Sequence, residues 1–241
     1  MSQEGGPKFR IIGNASGGAR RRAEQEITDL LTQQKVDDLP SGWKEAIRES
    51  ELPKTPEELS LIDLANQKIN ELMRIAGVSG FDVPANNFRI LPASSYEKVT
   101  QEKESAGATA LMFQVVALNA DETRKGLMVF GCTVFHEMMH LKSHLTLQVE
   151  VDNEDGGVIK TPYREGLIIK PAQNTIARNK YHEHFRGLND ALVASLEKDF
   201  AQELLKLPFI QKGQSDLQDP EVAKIKEQAS LVSGIPKDEI V

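Results

Sequence analysis

The sequence predicts an α+β fold, with helices, a small antiparallel sheet and two helices flanking a histidine cluster. Three observations carry this reading. At Thr55-Pro56-Glu57-Glu58 a hydroxyl, a proline at the first helical position and a glutamate three residues after the cap mark a helix start. From Leu145 to Val151 apolar and polar residues alternate with the period of two that a half-buried strand requires. All five histidines of the 241-residue chain lie between His136 and His184, which confines the commonest metal-binding and proton-transfer side chain to one stretch.

Taken in order, the first 16 residues are rich in Gly, Ser and Asn around one short apolar run, Phe9 to Ile12, and read as a mobile arm. A helix is expected from about Ala19 to Gln34, with Ile27, Leu30 and Leu31 as its apolar side. Behind the Thr55 cap, Leu61, Leu64, Ala65, Ile69, Leu72 and Met73 recur at helical spacing, and Gly77 is a stop. Asn87 to Leu91 reads as a short strand ended by Pro92, and Thr109 to Leu118 as one largely buried strand. Asp121 offers a cap for a long apolar helix from Glu122 to His144. The alternating strand follows, then a turn at residues 153–157, then a return strand from Val158 to Lys170 interrupted at Pro162. A helix from Phe185 or Arg186 to about Leu207 and a polar helix from Pro220 to Leu231 complete the chain. The resulting organisation is an arm (1–16), a helical N-terminal part (17–80), a core (81–210), and a C-terminal polar helix and tail (211–241).

The 36 acidic against 29 basic residues give a net charge of −7, which argues against nucleic acid or a polybasic membrane contact as partner. A single cysteine, Cys132, excludes an internal disulfide framework and suits a reducing compartment. No run reaches the length of a membrane span, and no secretory signal is visible, so the expectation is a soluble cytoplasmic protein.

The chemistry centres on Phe135-His136-Glu137-Met138-Met139-His140, an H-E-x-x-H motif. On a helix, residues i and i+4 share a face, so both imidazoles can reach one Zn²⁺ while the glutamate between them approaches metal-bound water as general base. The helix is apolar nearly all round, and burying two histidines and a glutamate in it is costly unless they have partners. A metal supplies them.

On these residues, and on the order strand, motif helix, hairpin, second helix over about 108–205, the chain resembles the zincin metallopeptidases. Among them it is most similar to the gluzincin-like branch, whose third ligand is a carboxylate on a second helix. The strings from His136 to His144, Tyr163 to Leu167 and Phe185 to Ala191 also resemble uncharacterised bacterial zincin-like proteins. The likeness to these bacterial proteins implies a fold and a metal but no known substrate, while the resemblance to the metallopeptidases implies a zincin-like fold, a zinc ion and a peptide or protein substrate. It also implies a third ligand, and Asp190 is the first choice. Its setting Leu-Asn-Asp-Ala is similar to the stretch where relatives carry a ligating glutamate, although aspartate is one methylene shorter. Glu165, in Glu-Gly-Leu, is the competitor, and a histidine is a third possibility. Tyr163, Arg164, Tyr181, His182 and His184 are candidates for stabilising a transition state. His144 is expected in a supporting or surface role, and Cys132 as a small buried apolar residue.

The expected function is a zinc-dependent hydrolase, most simply a metallopeptidase with His136, His140 and Asp190 as ligands and Glu137 as base. The strand 145–151 either offers an edge to an extended peptide or has that edge covered. The alternatives are a zincin-fold binding or regulatory protein of weak activity with a retained zinc site, and a plain globular protein with structural histidines.

Overall fold

The computed structural model describes residues 9–33, 35–151, 158–169 and 186–215. The expected turn at 153–157 and the polar helix at 220–231 lie outside the described residues, as do Tyr181, His182 and His184.

The chain opens with strand β1 (Phe9–Ile12) and helix α1 (Gly17–Gln33). Residues 9–12 are therefore not part of a mobile arm. They pair in parallel with a distant strand from Phe9↔Leu145 to Ile12↔Gln148. Helix α2 (Ser41–Ser50) was not legible in the sequence; its buried face is Trp43, Ala46 and Ile47. Helix α3 (Pro56–Ile75) starts as expected, with Glu58 N–H donating to the Thr55 hydroxyl at 3.2 Å and Thr55 N–H donating to the Glu58 carboxylate at 2.7 Å. Strand β2 (Phe88–Leu91) follows, and then helix α4 (Ala93–Thr100) begins directly after Pro92.

The apolar stretch 109–118 is not one strand. It folds into β3 (Gly107–Ala110), a 3₁₀ turn at Leu111–Phe113 and β4 (Val115–Asn119), with Gln114 left-handed at φ 50°. β3 and β4 pair antiparallel with each other, Ala110 against Val115. The long helix expected at 122–144 is also divided, into α5 (Ala120–Thr123) and α6 (Leu127–Lys142). The cap of α5 is Asn119 rather than Asp121, since the Asn119 side chain accepts from Asp121 N–H at 3.2 Å. After α6 come β5 (Leu145–Val151), β6 (Val158–Glu165), a turn, and β7 (Ile168–Ile169). Pro162 sits within β6 opposite Leu147, beside a register shift at Thr146/Leu147. Helix α7 (Arg186–Leu204) ends before Pro208, which opens α8 (Pro208–Ser215), because a proline disfavours helix in the residue before it.

The strands form two sheets, ordered β1-β5-β6-β7 and β2-β4-β3. The expected single antiparallel sheet is thus corrected to two mixed ones, because β1–β5 and β2–β4 pair in parallel across long connections. β5 lies between β1 and β6, so both its edges are taken and it offers none to a peptide.

β4 is buried throughout because helices cover both faces of its sheet. Val116 and Leu118 join the main core with Leu61, Ile62, Phe130, Phe135 and Phe200, while Val115 and Ala117 meet Trp43 and Tyr96 on the other side. A separate cluster seats Ala19, Ala23, Ile27 and Leu30 of α1 on Leu145, Leu147 and Val149 of β5. Among the described residues no helix is long and apolar enough to cross a membrane.

Candidate metal centre

Helices α6 and α7 run antiparallel and pack closely against each other. Phe135 and Phe200 stack with ring centroids 4.4 Å apart, and Gly131 admits the Leu204 side chain so closely that a Cβ there would lie 2.7 Å from Leu204 Cδ1. Along α7 the residues facing α6 recur at helical spacing: Val193, Phe200 and Leu204 are buried, and Glu197 stands between them two turns beyond Asp190. This stripe carries the α7 carboxylates to the histidines of α6.

The His136 and His140 rings meet edge to face, with their Nε2 atoms 3.2 Å apart. Two ligand atoms sharing a tetrahedral zinc at about 2.0–2.1 Å lie about 3.3–3.4 Å from each other. The pair is therefore already close to chelating separation. On the other side of the His136 ring, Nδ1 is 3.1 Å from Glu197 Oε2. A proton held on Nδ1 by that carboxylate leaves the Nε2 lone pair for a metal, the arrangement by which second carboxylates orient ligand histidines. Burial alone pushes the His136 pKa down. The hydrogen bond to Glu197 and the charges of Glu137, Glu197 and Asp190 outweigh it, and the net lies above the ordinary 6.5.

Glu137 is buried, at 7% exposure. Its carboxylate lies against β3, where residues i and i+2 point to one face. Thr109 Oγ1 donates to Glu137 Oε2 at 2.6 Å. A Cβ on Gly107 would come within 2.8 Å of Glu137 Cγ and 3.0 Å of Oε1. Glycine is required there for the strand to seat on the helix. Burial raises the Glu137 pKa; Thr109 and His136 oppose that rise, and the charges of Glu102 and Glu197 add to it, leaving it above the usual carboxylate value.

His136, Glu137, His140 and Asp190 line one cleft of about 550 Å³, together with β3 and Pro162. Of the expected site residues, these four are thus brought together. Asp190 faces the same space as the two histidines, but among the described residues no three His, Cys, Asp or Glu side chains converge closely enough to hold a metal ion. Glu165 ends β6 opposite Leu145 and does not open a helix; its side chain, like that of Tyr163, lies outside the described residues. Arg164 is exposed and donates to Gly166 C=O at 2.7 Å, away from the cleft. His144 falls past the end of α6, contacts Thr146 Oγ1 at 3.0 Å, and does not line the cleft. Cys132 has its thiol pKa pushed up to about 12 by burial, with the charge of Glu197 adding, which fits an inert thiol.

Sequence reasoning missed Glu197, Thr109 and Glu102. The available signal for Glu197 was its place two turns beyond Asp190; Thr109 and Glu102 have no signal without the strand–helix packing. No protein-family model, no curated protein and no solved structure matches the chain.

Proposed function

We propose that the chain is a zinc-dependent hydrolase, most simply a peptidase, in which His136 and His140 hold the metal, Asp190 completes the ligand set and Glu137 is the general base. The observation that carries this is the 3.2 Å separation of the two Nε2 atoms within a cleft that also holds Glu137. Glu165 remains the alternative third ligand. Zinc bound there would acidify water to near neutrality and polarise a carbonyl.

The chain's own groups account for the rest. Glu197 fixes the His136 ring and its tautomer. Thr109 occupies Glu137 Oε2, leaving Oε1 to take a proton from the attacking water and return it to the leaving amine. A carboxyl with a raised pKa suits that relay, because it must gain and lose a proton within one cycle. Among the described residues β3 is an edge strand of its sheet, bordering the cleft from Gly107 to Ala110, and its outer side suits backbone pairing with an extended peptide. This edge takes the place expected of strand 145–151.

A second reading, a zincin-fold binding or regulatory protein of weak activity, draws on one observation. The described residues hold two convergent histidines but no convergent third ligand. Two measurements separate the readings. Metal analysis of purified protein should find close to one zinc per chain; below about 0.2, both metal readings fall and structural histidines remain. Glu137→Gln should abolish peptide hydrolysis with zinc retained, and unchanged hydrolysis would remove Glu137 as the base.

A further inference from the structure

Beside the histidine cleft lies a second hollow, a groove of about 1030 Å³ between α1 and the 3₁₀ turn at Leu111–Phe113. The two hollows adjoin. Met112 and Phe113 line both. On β6, Lys160 lines the groove and Pro162 the cleft, and residues two apart share one face of a strand. The edge strand β3 runs directly from the cleft into the turn that forms the shared wall.

The lining of the groove says what would lie in it. Its floor combines Ile27 and Leu30 with Met112 and Phe113, and its rim carries both signs of charge, with Arg22 and Lys35 beside Asp29 and Asp38. A site for a small charged ligand concentrates one sign of charge or a few convergent polar groups in an enclosed pocket. A groove with apolar and mixed-charge lining, adjoining a cleft beside a strand at the edge of its sheet, fits an extended polypeptide. We infer that the substrate is a segment of unfolded polypeptide spanning both hollows, with cleavage at the histidines and an apolar side chain several residues away anchored over Met112 and Leu30. Dipeptides and small amides would leave the groove empty. The inference rests on the proposed peptidase only in naming the cleft as the place of cleavage.

The test separates the two ideas by reading binding and cleavage independently. Fluorescently labelled, unstructured peptides of about four, eight and twelve residues, rich in Ala and Leu with both Lys and Glu, span about 13, 26 and 40 Å when extended. Binding is measured by anisotropy on the full zinc-loaded Glu137→Gln chain. Affinity should rise at least about tenfold from the shortest to the longest peptide. Gln25→Trp, at an exposed α1 position facing the groove, should fill it and abolish that gain while leaving the affinity of the shortest peptide unchanged. Arg22→Trp repeats the test should the first variant fold poorly. Length-independent affinity, or a gain that survives both tryptophans, overturns the groove assignment even if the wild type cleaves peptides. A gain lost on filling, in a chain whose wild type cleaves nothing, upholds the groove and removes the peptidase.

Discussion

Replacing Gly107 with alanine tests the contact on which the chemistry depends. The new Cβ would lie 2.8 Å from both Glu137 Cγ and Thr133 Cγ2 and 3.0 Å from Glu137 Oε1. Carbon atoms do not approach so closely, so either β3 lifts or the glutamate swings away. Overpacking of this kind costs about 1–3 kcal/mol, and for a chain of this length about 2 kcal/mol lowers Tm by about 4–8 °C. If the glutamate moves, it also loses the Thr109 hydroxyl, a bond to a charged group worth about 1.5–3 kcal/mol, and a base misplaced by about 1 Å costs about a hundredfold in rate. The assay pairs a thermal melt with zinc content and peptide hydrolysis. The expected result is a moderate loss of Tm, full zinc occupancy and a kcat lower by about a hundredfold. Thr109→Val, which removes the same bond from a buried carboxyl, should reproduce both the kcat loss and a comparable loss of Tm, and Thr109→Ser should restore both. Wild-type Tm and kcat in Gly107→Ala would show that β3 is not seated on α6 at Glu137, and the positioning argument would fail.

Three further outcomes follow from the same geometry. Glu197→Gln should weaken zinc binding by about 10–100-fold in a chelator competition, since the His136 ring loses its charged support; an unchanged affinity would assign Glu197 a purely structural place. Of Asp190→Ala and Glu165→Ala, only the first should lose zinc, because Asp190 lines the cleft with both histidines; the opposite result gives the third position to β6. Lys142, buried against Asn66 C=O, Asn70 Oδ1 and the Phe81 ring, has its pKa lowered by burial from 10.5 to about 8, with Asp82 opposing. Between those values the unfolded chain carries more protons on this group than the folded one, so stability rises with pH across that window. The cost is fully present below about pH 8 and amounts to about 3 kcal/mol. Lys142→Met should therefore be more stable at pH 7 and lose that rise in urea melts, and a variant less stable than wild type at pH 7 would contradict it. Asn70 Oδ1 is not orphaned by the change, because Phe81 N–H still donates to it at 3.1 Å.

What the sequence made legible is what is local. The Thr55 cap and the His136/His140 pairing each depend on residues within one turn of helix, and both were readable as written. The misreadings share the opposite property. Leu111-Met112-Phe113 looks like the middle of a strand because its apolar character says burial and not direction; the reversal depends on Gln114 entering a left-handed conformation that no glycine announces. The break between α5 and α6 falls at Arg124-Lys125-Gly126, between a polar turn and an apolar run, where only Gly126 breaks the helical pattern. β1 reads as an arm in the sequence because four residues carry too little periodicity, and its partner lies far along the chain. Glu197 escaped because an acid on a helix is ordinarily a solvated one; only the stacking of Phe200 on Phe135 turns that face inward.

The parallel pairing of β1 with β5 has a consequence for how the molecule is made. Phe9 finds its partner at Leu145, so during synthesis at about 5–20 residues per second the first strand waits roughly 7–27 seconds before β5 has been translated. Throughout that interval the apolar stripe of α1, Ala19, Ala23, Ile27 and Leu30, has no sheet to cover it. The wall of the groove beside the cleft is therefore one of the first segments made, yet it cannot be seated until β5 has followed it.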